Sequence, residues 1–350
     1  MNATTYGVDT AKNVFQVHWV DTDTGEIGRK KIKRAKFVEF FAQLQPAVVA
    51  MEACGGSHHW ARTLGRLGHD VQLLPAAQVR AFVRGNKDDA ADARAIWLAA
   101  KQCDIRRVPV KDEQQQAVLS LHRTRSHWVS VRTSTINALR GLLVEFGVAL
   151  PQGKKAGLSA LAEQRAQLDA VLPVIMVNLV NEQLRALAEL DHNVAVMDAQ
   201  IALMQKAMTS ATRLRQVPGL GVLGATATAA VLGDGKAWRS GREFSASLGL
   251  VPGHTGTGGK VRMGRITKRG DPYLRTLMIC GARAVMQGTK HPAWIDAMLL
   301  RRPFNVVVVA VANKMARTAW ALVAHARPYE AAWASRLPTT QEKQSLAAGA

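Results

Sequence analysis

Four carboxylates stand where they could handle phosphate through a bound cation: Asp9, Glu52, Asp89 and Asp92. Asp9 ends the β-branched run of TTYGVDTAK and Glu52 ends the apolar run of AVVAMEA, so each reads as an acid at a strand end. Asp89 and Asp92 lie three apart in RGNKDDAADARAI, a stretch that reads as a helix, and this spacing turns both to one side. Parallel neighbouring strands would bring Asp9 and Glu52 to one sheet edge, and a helix packed there would add the two aspartates. Oxygen ligands of this kind suit Mg2+, which favours carboxylate, water and substrate phosphate. Two such ions, roughly 4 Å apart, clamp the attacking and leaving oxygens of a phosphoryl transfer. A lone aspartate near a strand end is ordinarily a turn or cap residue. The order of the set (strand-end Asp, strand-end Glu, DxxD on a helix) is what points to a metal site. Asp88 would face another side of the helix and is left out.

A second stretch, LGLVPGHTGTGGKVRMGRITKRGDPYLR (248–275), joins a hydroxyl to glycines and cations. It is not a P-loop: GxxxxGK[ST] would need Gly and Ser or Thr where the chain has His254 and Val261. Thr257 precedes Gly258 and Gly259 in a loop expected to be flexible, and Lys260, Arg262, Arg265, Lys268, Arg269 and Arg275 follow. Glycines let a backbone approach phosphate and the cations neutralise it. A hydroxyl held there could attack phosphorus once a base or metal activates it; the alternative is that Thr257 is only a turn residue. Upstream, VPGLGVLGATATAAVLGD opens a small-residue helix with a Pro-Gly-x-Gly turn. It resembles the helix-hairpin-helix motif that grips DNA backbones, which makes Gly219 and Gly221 candidate phosphate contacts; a plain glycine turn is the alternative. Two rival chemistries are weaker. EACGGSHH sets Cys54 near His58 and His59, as a cysteine hydrolase might need. GVDTAK resembles the phosphate turn of actin-like sugar kinases, which need further nucleotide loops and would not carry so much positive charge.

The elements that must position these residues divide the chain by composition. Residues 4–20 read as two strands joined around Lys12 and Asn13; AVVAMEA and DVQLLP read as strands, and HHWARTLGRLG and about 87–101 as helices. Such alternation predicts an α/β domain over 1–108. Residues 109–212 read as helical, with Pro151 and QGKKAG separating two helices. Leu187, Leu190, Val194, Met197, Ile201, Met204 and Met208 form an a/d seam, which fits either an internal bundle or a coiled coil between subunits, its narrowness favouring the latter. A Gly-rich, basic, mainly α domain is expected over 213–330, and a flexible tail over 331–350.

Composition sets the partner. The 350 residues hold 46 Lys and Arg against 26 Asp and Glu, a formal charge of +20, which points to a polyanion, most often nucleic acid. The three cysteines contain no CxxC pair, so neither a disulfide framework nor a cysteine zinc site is indicated. The N-terminal stretch has no signal-peptide pattern, and Asn313, Lys314 and Arg317 interrupt the most apolar segment, so a cytoplasmic protein outside the membrane is expected.

GVDTAKNVFQVHWVD, AMEACGGSHHWARTL, VRGNKDDAADARAI and LGLVPGHTGTGGKVRMGRITKRGDPYLRTLMICGARAV together resemble the DEDD-type transposases of the IS110 family of insertion sequences, including the IS1111 subgroup and the Piv-type invertases. The likeness runs from the first strand to about residue 325, in the same order. It implies a RuvC-like (ribonuclease H-like) N-terminal domain, a coiled-coil middle, a C-terminal transposase domain, and site-specific recombination. Asp9, Glu52, Asp89 and Asp92 match the family's metal-binding acids. The family's loop serine attacks DNA and forms a phosphoserine bond; Thr257 occupies that place here, with Thr255, Ser245 and Ser247 as other candidates. The resemblance also implies a structured noncoding guide RNA, donor and target DNA, and a nucleoid-associated homo-oligomer, dimer or tetramer. The competing expectations are a metal-dependent junction nuclease that uses water, and a nonenzymatic nucleic-acid-binding protein with degenerate acids.

Overall fold

The computed structural model describes residues 4–83, 88–288 and 292–330. The expected tail, 331–350, and Lys87, near the expected start of the aspartate-bearing helix, lie outside the described residues. The chain divides into two units, Met1–Ala117 and Val118–Ala350.

In the first unit, β1 (Thr5–Thr10), β2 (Val14–Val20) and β3 (Ile27–Lys33) form an antiparallel meander. After α1 (Phe37–Ala42), strand β4 (Val48–Glu52) pairs parallel with β1. Helix α2 (Ser57–Arg66) then returns the chain to β5 (Asp70–Leu74), parallel to β4. Short α3 (Ala76–Val79) precedes α4 (Asp89–Ala100). The sheet order is β3-β2-β1-β4-β5. One face is sealed by edge-on aromatics: Phe15, Phe37, Phe41 and Trp60 stack with centroids about 5 Å apart. Strand β3 was not expected from the sequence. It has one buried residue, Ile32, among lysines and arginine, and it is held by its register with β2 rather than by an apolar alternation of its own.

Helix α5 (Glu113–Val144) leads into the second unit, where α6 (Lys154–Glu163), α7 (Arg165–Val171) and the long α8 (Val174–Ala207) follow. Arg125 pairs with Asp198 and Arg132 with Asp191, so seven residues forward on α5 match seven backward on α8 and the helices run antiparallel. Ile136, Leu139 and Leu143 share a core with Val180 and Leu187. Leu187, Leu190, Val194 and Ile201 of the a/d seam are buried within this unit. This corrects the preference for a seam between subunits: α8 spends its narrow apolar stripe on neighbours in its own chain.

Beyond α8, α9 (Thr209–Leu214) and α10 (Val222–Leu232) flank the Pro-Gly-x-Gly turn, and α11 (Gly241–Ser247) follows. Strands β6 (Pro252–Thr257) and β7 (Lys260–Ile266) form a two-stranded antiparallel hairpin where a flexible loop was expected. Gly258 and Gly259, both at positive φ, make the two-residue turn whose twist suits a hairpin. Helices α12 (Pro272–Gln287), α13 (Ala293–Leu299) and α14 (Phe304–Ala324) complete the unit. By length and composition α14 could cross a membrane, but Val307, Val311, Met315 and Leu322 are buried in this unit's core. The overall result is a mixed α/β N-terminal sheet followed by a largely helical remainder.

Candidate active site

Register sets the first pair of acids. The parallel β1–β4 ladder pairs Val8 with Met51, and the next residues are Asp9 and Glu52, both at strand ends. Helix α4 brings the other two. Its N-cap is Asp88, whose carboxylate accepts from the Ala90 N–H; the cap fixes the helix start at Asp89 and explains why Asp88 stays out of the cluster. Close packing then sets the distance. A Cβ on Gly7 would lie 2.4 Å from the Ala93 carbonyl oxygen and 2.6 Å from the Trp97 nitrogen. Gly7 shares a face of β1 with Asp9, two residues on. Its missing side chain therefore lets α4 lie directly on the strand, with Asp92, next to Ala93, over Asp9.

Carboxylate oxygens of Asp9, Asp89 and Asp92 come within 4.8 Å of one another. Glu52 is not part of that tight group, but it is close enough to feel Asp92's charge. Burial pushes the Asp9 carboxyl up to about 6, aided by repulsion from Asp92, Asp89 and Glu52. Burial, then Asp92, raises Glu52. Among the described residues no lysine or arginine forms an ion pair with any of the four, in a chain of charge +20. Crowded anions that are all oxygen donors fit a hard divalent ion. The cysteine-hydrolase pair is engaged elsewhere: the Cys54 thiol lies 3.3 Å from the Thr10 hydroxyl, while His58 accepts from the Lys111 N–H at 3.2 Å.

In the second unit Thr257 closes β6 beside the glycine turn, exposed, paired across the hairpin with Lys260. Thr255 is also exposed, opposite Arg262. Ser245 is buried and donates to the Arg242 carbonyl, while Asn313 donates to it. The Ser247 hydroxyl donates to the Phe244 carbonyl at 2.7 Å. Both serines bond to carbonyls of their own helix, but only Ser245 is buried; Thr257, Thr255 and Ser247 are the accessible hydroxyls of the four. Lys260, Arg262 and Arg265 line exposed β7; Lys268, at φ 54°, and Arg269 follow it, also exposed. Arg275 is different: its guanidinium donates to the carbonyls of Leu248 and Arg269, each at 3.0 Å, tying the base of the hairpin to α12. Gly219, at φ 88°, packs against α12, where a Cβ would meet the Gly281 oxygen at 2.7 Å; a Cβ on Gly221 at the N-cap of α10 would meet nothing within 4 Å. Packing against Gly281 thus accounts for the first of these glycines.

Sequence reading missed two contributors. Gly7 could have been found from its spacing to Asp9, since a glycine inside a strand signals close approach of another element. His122 carried no motif. It is buried, with ring nitrogens 2.9 Å from the hydroxyls of Tyr273 and Thr226. The Thr226 hydroxyl donates to the Val222 carbonyl, so it accepts from His122 Nε2, and His122 Nδ1 accepts from Tyr273. This neutral imidazole joins α5, α10 and the start of α12, the helix that follows the hairpin.

Comparison with known proteins adds two family matches. Residues 6–148 match a transposase family of the DEDD type named for IS110, and residues 211–297 match the transposase IS116/IS110/IS902 family. The chain is similar to a Pseudomonas aeruginosa protein named "Probable family 20 transposase", 46% identical over 94% of this chain and 99% of that one. It is 36% identical to the transposase for insertion sequence element IS1328 of Yersinia enterocolitica, over 91% of this chain and 96% of the other. It is also 36% identical to the transposase for insertion sequence element IS1111A of Coxiella burnetii, over 92% and 90%.

Proposed function

The chain belongs to the IS110 family of DEDD transposases, and on that premise we propose that it recombines DNA through a covalent protein–DNA bond made by Thr257. The enzyme is a DNA transposase, with divalent-metal dependence implied by its DEDD domain. We assign Asp9, Glu52, Asp89 and Asp92 as the metal ligands and take the ions to be two Mg2+. The observation that carries this is the convergence of unpaired carboxylates from β1, β4 and α4. The sheet order, three antiparallel strands followed by two parallel ones, supports a RuvC-like reading of the domain. When bound, the ions supply positive charge to the attacking and leaving oxygens of phosphoryl transfer.

The remaining chemistry belongs to the chain. Thr257 Oγ1 attacks a DNA phosphorus; the new O–P bond replaces the bond to a deoxyribose oxygen, which leaves and takes a proton while the threonine hydroxyl gives one up. The phosphodiester count is unchanged, so a second DNA hydroxyl can reverse the step without ATP. Lys260, Arg262, Arg265, Lys268 and Arg269 hold phosphates around the hairpin; Arg275 holds its base, and Gly221 offers a helix start to a further phosphate. A structured guide RNA that pairs with donor and target, leaving sequence choice to base pairing, is supported by the family resemblance and by the charge excess. Homo-oligomer formation is supported by exposed Phe146, Val171, Val174 and Ile175 in and between α5, α7 and α8. We place the enzyme with nucleoid DNA in the cytoplasm.

The test is to trap the adduct. Protein, Mg2+, candidate RNA and both DNAs should give a denaturation-resistant protein–DNA species. Asp9→Asn and Thr257→Ala should each abolish it. An undiminished adduct with Thr257→Ala removes this nucleophile, and cleavage with no adduct in the parent protein assigns the attack to water.

A further inference from the structure

Strand β3 is an edge strand with an unusual cargo: Arg29, Lys30, Lys31 and Lys33, with Ile32 its one buried residue. Successive side chains on a strand point to opposite faces. Ile32 therefore sets Lys30 on the aromatic-core face, where its ammonium stands 4.8 Å from the Phe40 ring. Arg29, Lys31 and Lys33 fall on the other face, which is the face that carries Asp9 and receives α4. Register makes this specific: Asp9 pairs with Gln16, and Gln16 pairs with Lys31. One step along, Gly7 pairs with His18 and His18 with Arg29; Arg29 and Arg94 of α4 both act on His18's charge. Among the described residues none of Arg29, Lys31 and Lys33 is in an ion pair. Lysines on an edge strand commonly serve to prevent edge-to-edge pairing. That role does not require them to share a face, or to be in register with the metal-binding acid.

We propose that the row Asp9–Gln16–Lys31 is a track for the reacting DNA strand, which leaves the acids over the Gln16 amide and crosses the sheet edge on Lys31 and Lys33. The inference rests on the reading above, in which a DNA phosphodiester reacts at the acids. Two strand spacings put Lys31 about 10 Å from Asp9. At roughly 3.4 Å of axial rise per phosphate of one strand, that distance covers about three phosphates. Gln16 offers two amide N–H donors to a phosphate oxygen, the lysines neutralise the next phosphates, and Arg29 and Arg94 flank the path.

The test uses the full chain and a short labelled duplex DNA, with affinity measured across salt concentrations. The Lys31→Gln/Lys33→Gln double variant should lower the slope of log K against log salt by about 1.8, roughly 0.9 for each lost contact. Lys30→Gln removes the same charge from the opposite face of the same strand and should leave the slope at the parent value. An unchanged slope in the double variant, or an equal fall with Lys30→Gln, overturns the track. So does a double variant that loses affinity for RNA of the same length and keeps its DNA slope. Asp9→Asn is assayed in parallel for transposition of a marked element. If it is inactive while the double variant keeps its slope, the track alone fails; if it is active, the reading beneath the track fails.

Discussion

Replacing Gly7 by alanine tests how the acids are brought together without touching any of them. The added Cβ would sit 2.4 Å from the Ala93 oxygen, 2.6 Å from the Trp97 nitrogen and 2.7 Å from the Trp97 Cβ. Ordinary contacts begin near 3.5 Å, so α4 must rise from β1 by about 1 Å. Overpacking of this kind costs roughly 1–3 kcal/mol. A misplacement of about 1 Å at reacting groups can reduce rate about 100-fold. Gly7→Ala should therefore destabilise the first unit by that amount, weaken Mn2+ binding measured by calorimetry, and reduce strand transfer by around two orders of magnitude. Gly65→Ala is the control: at an exposed position of α2 its Cβ meets nothing within 4 Å, and it should gain about 1 kcal/mol from helix propensity. A Gly7→Ala protein with parental unfolding midpoint and Mn2+ affinity would refute the claim that close approach of α4 builds the site.

Three further outcomes follow from particular groups. Thr257→Ser should keep the covalent adduct, and form it at least as fast because a primary alcohol is less hindered, whereas Thr257→Ala should form none; adduct mapping by mass spectrometry decides this. Asp9→Asn should raise the unfolding midpoint of metal-free protein by relieving like-charge crowding, and should remove most of the further rise that Mg2+ gives the parent; a lower metal-free midpoint would argue against crowding. His122 sets an acid limit for the second unit. Burial lowers it from 6.5 to about 4. Between those values the unfolded chain binds the proton and the folded chain does not, so stability falls as pH drops through this window, by about 3 kcal/mol once both are protonated. His122→Gln should flatten that part of a urea-unfolding pH profile, and an unaltered slope would count against it.

Much of the first unit was legible because its signals are local. Asp9 and Glu52 end apolar runs, and parallel pairing needs no more than two such strands with a helix between them. The DxxD spacing fixes a helix face whatever the tertiary context. Strand β3 was not legible, because a strand made of Arg29, Lys30, Lys31 and Lys33 has almost no hydrophobic period and takes its conformation from β2. Gly7 was visible, but its role depends on a helix that arrives more than eighty residues later in the chain. The hairpin around Thr257 was hidden for another reason: both strands are exposed, so no face had to be apolar, and only the Gly258–Gly259 turn marked it. The seam of α8 was read correctly as a stripe, yet a stripe does not name its partner. That partner was set by Arg125 and Arg132, whose aspartates lie fifty-nine or more residues away.

Among the described residues no lysine or arginine pairs with the acids, and this has a physical reason. With 46 lysines and arginines available, pairing even one with Asp9 would hold its carboxyl below the usual range and relieve the repulsion that now raises it. Such a pair would also occupy the oxygens that a divalent ion needs and cancel the field that attracts it. Elsewhere the chain does pair its charges: Asp191 meets both Arg132 and Lys154, and Asp198 meets Arg125. On the sheet face that carries Asp9, cations stand laterally instead, at Lys31 two strands away in register and at Lys33 on the same strand. A phosphodiester brings negative charge to a site already crowded with it, so its approach requires positive charge both at the reacting phosphate and along the flanking ones. Segregating the two signs over about 10 Å of one sheet face meets both requirements. A single neutralised cluster would meet neither, and for that reason the unpaired state of Asp9 carries more functional meaning than its mere presence at a strand end.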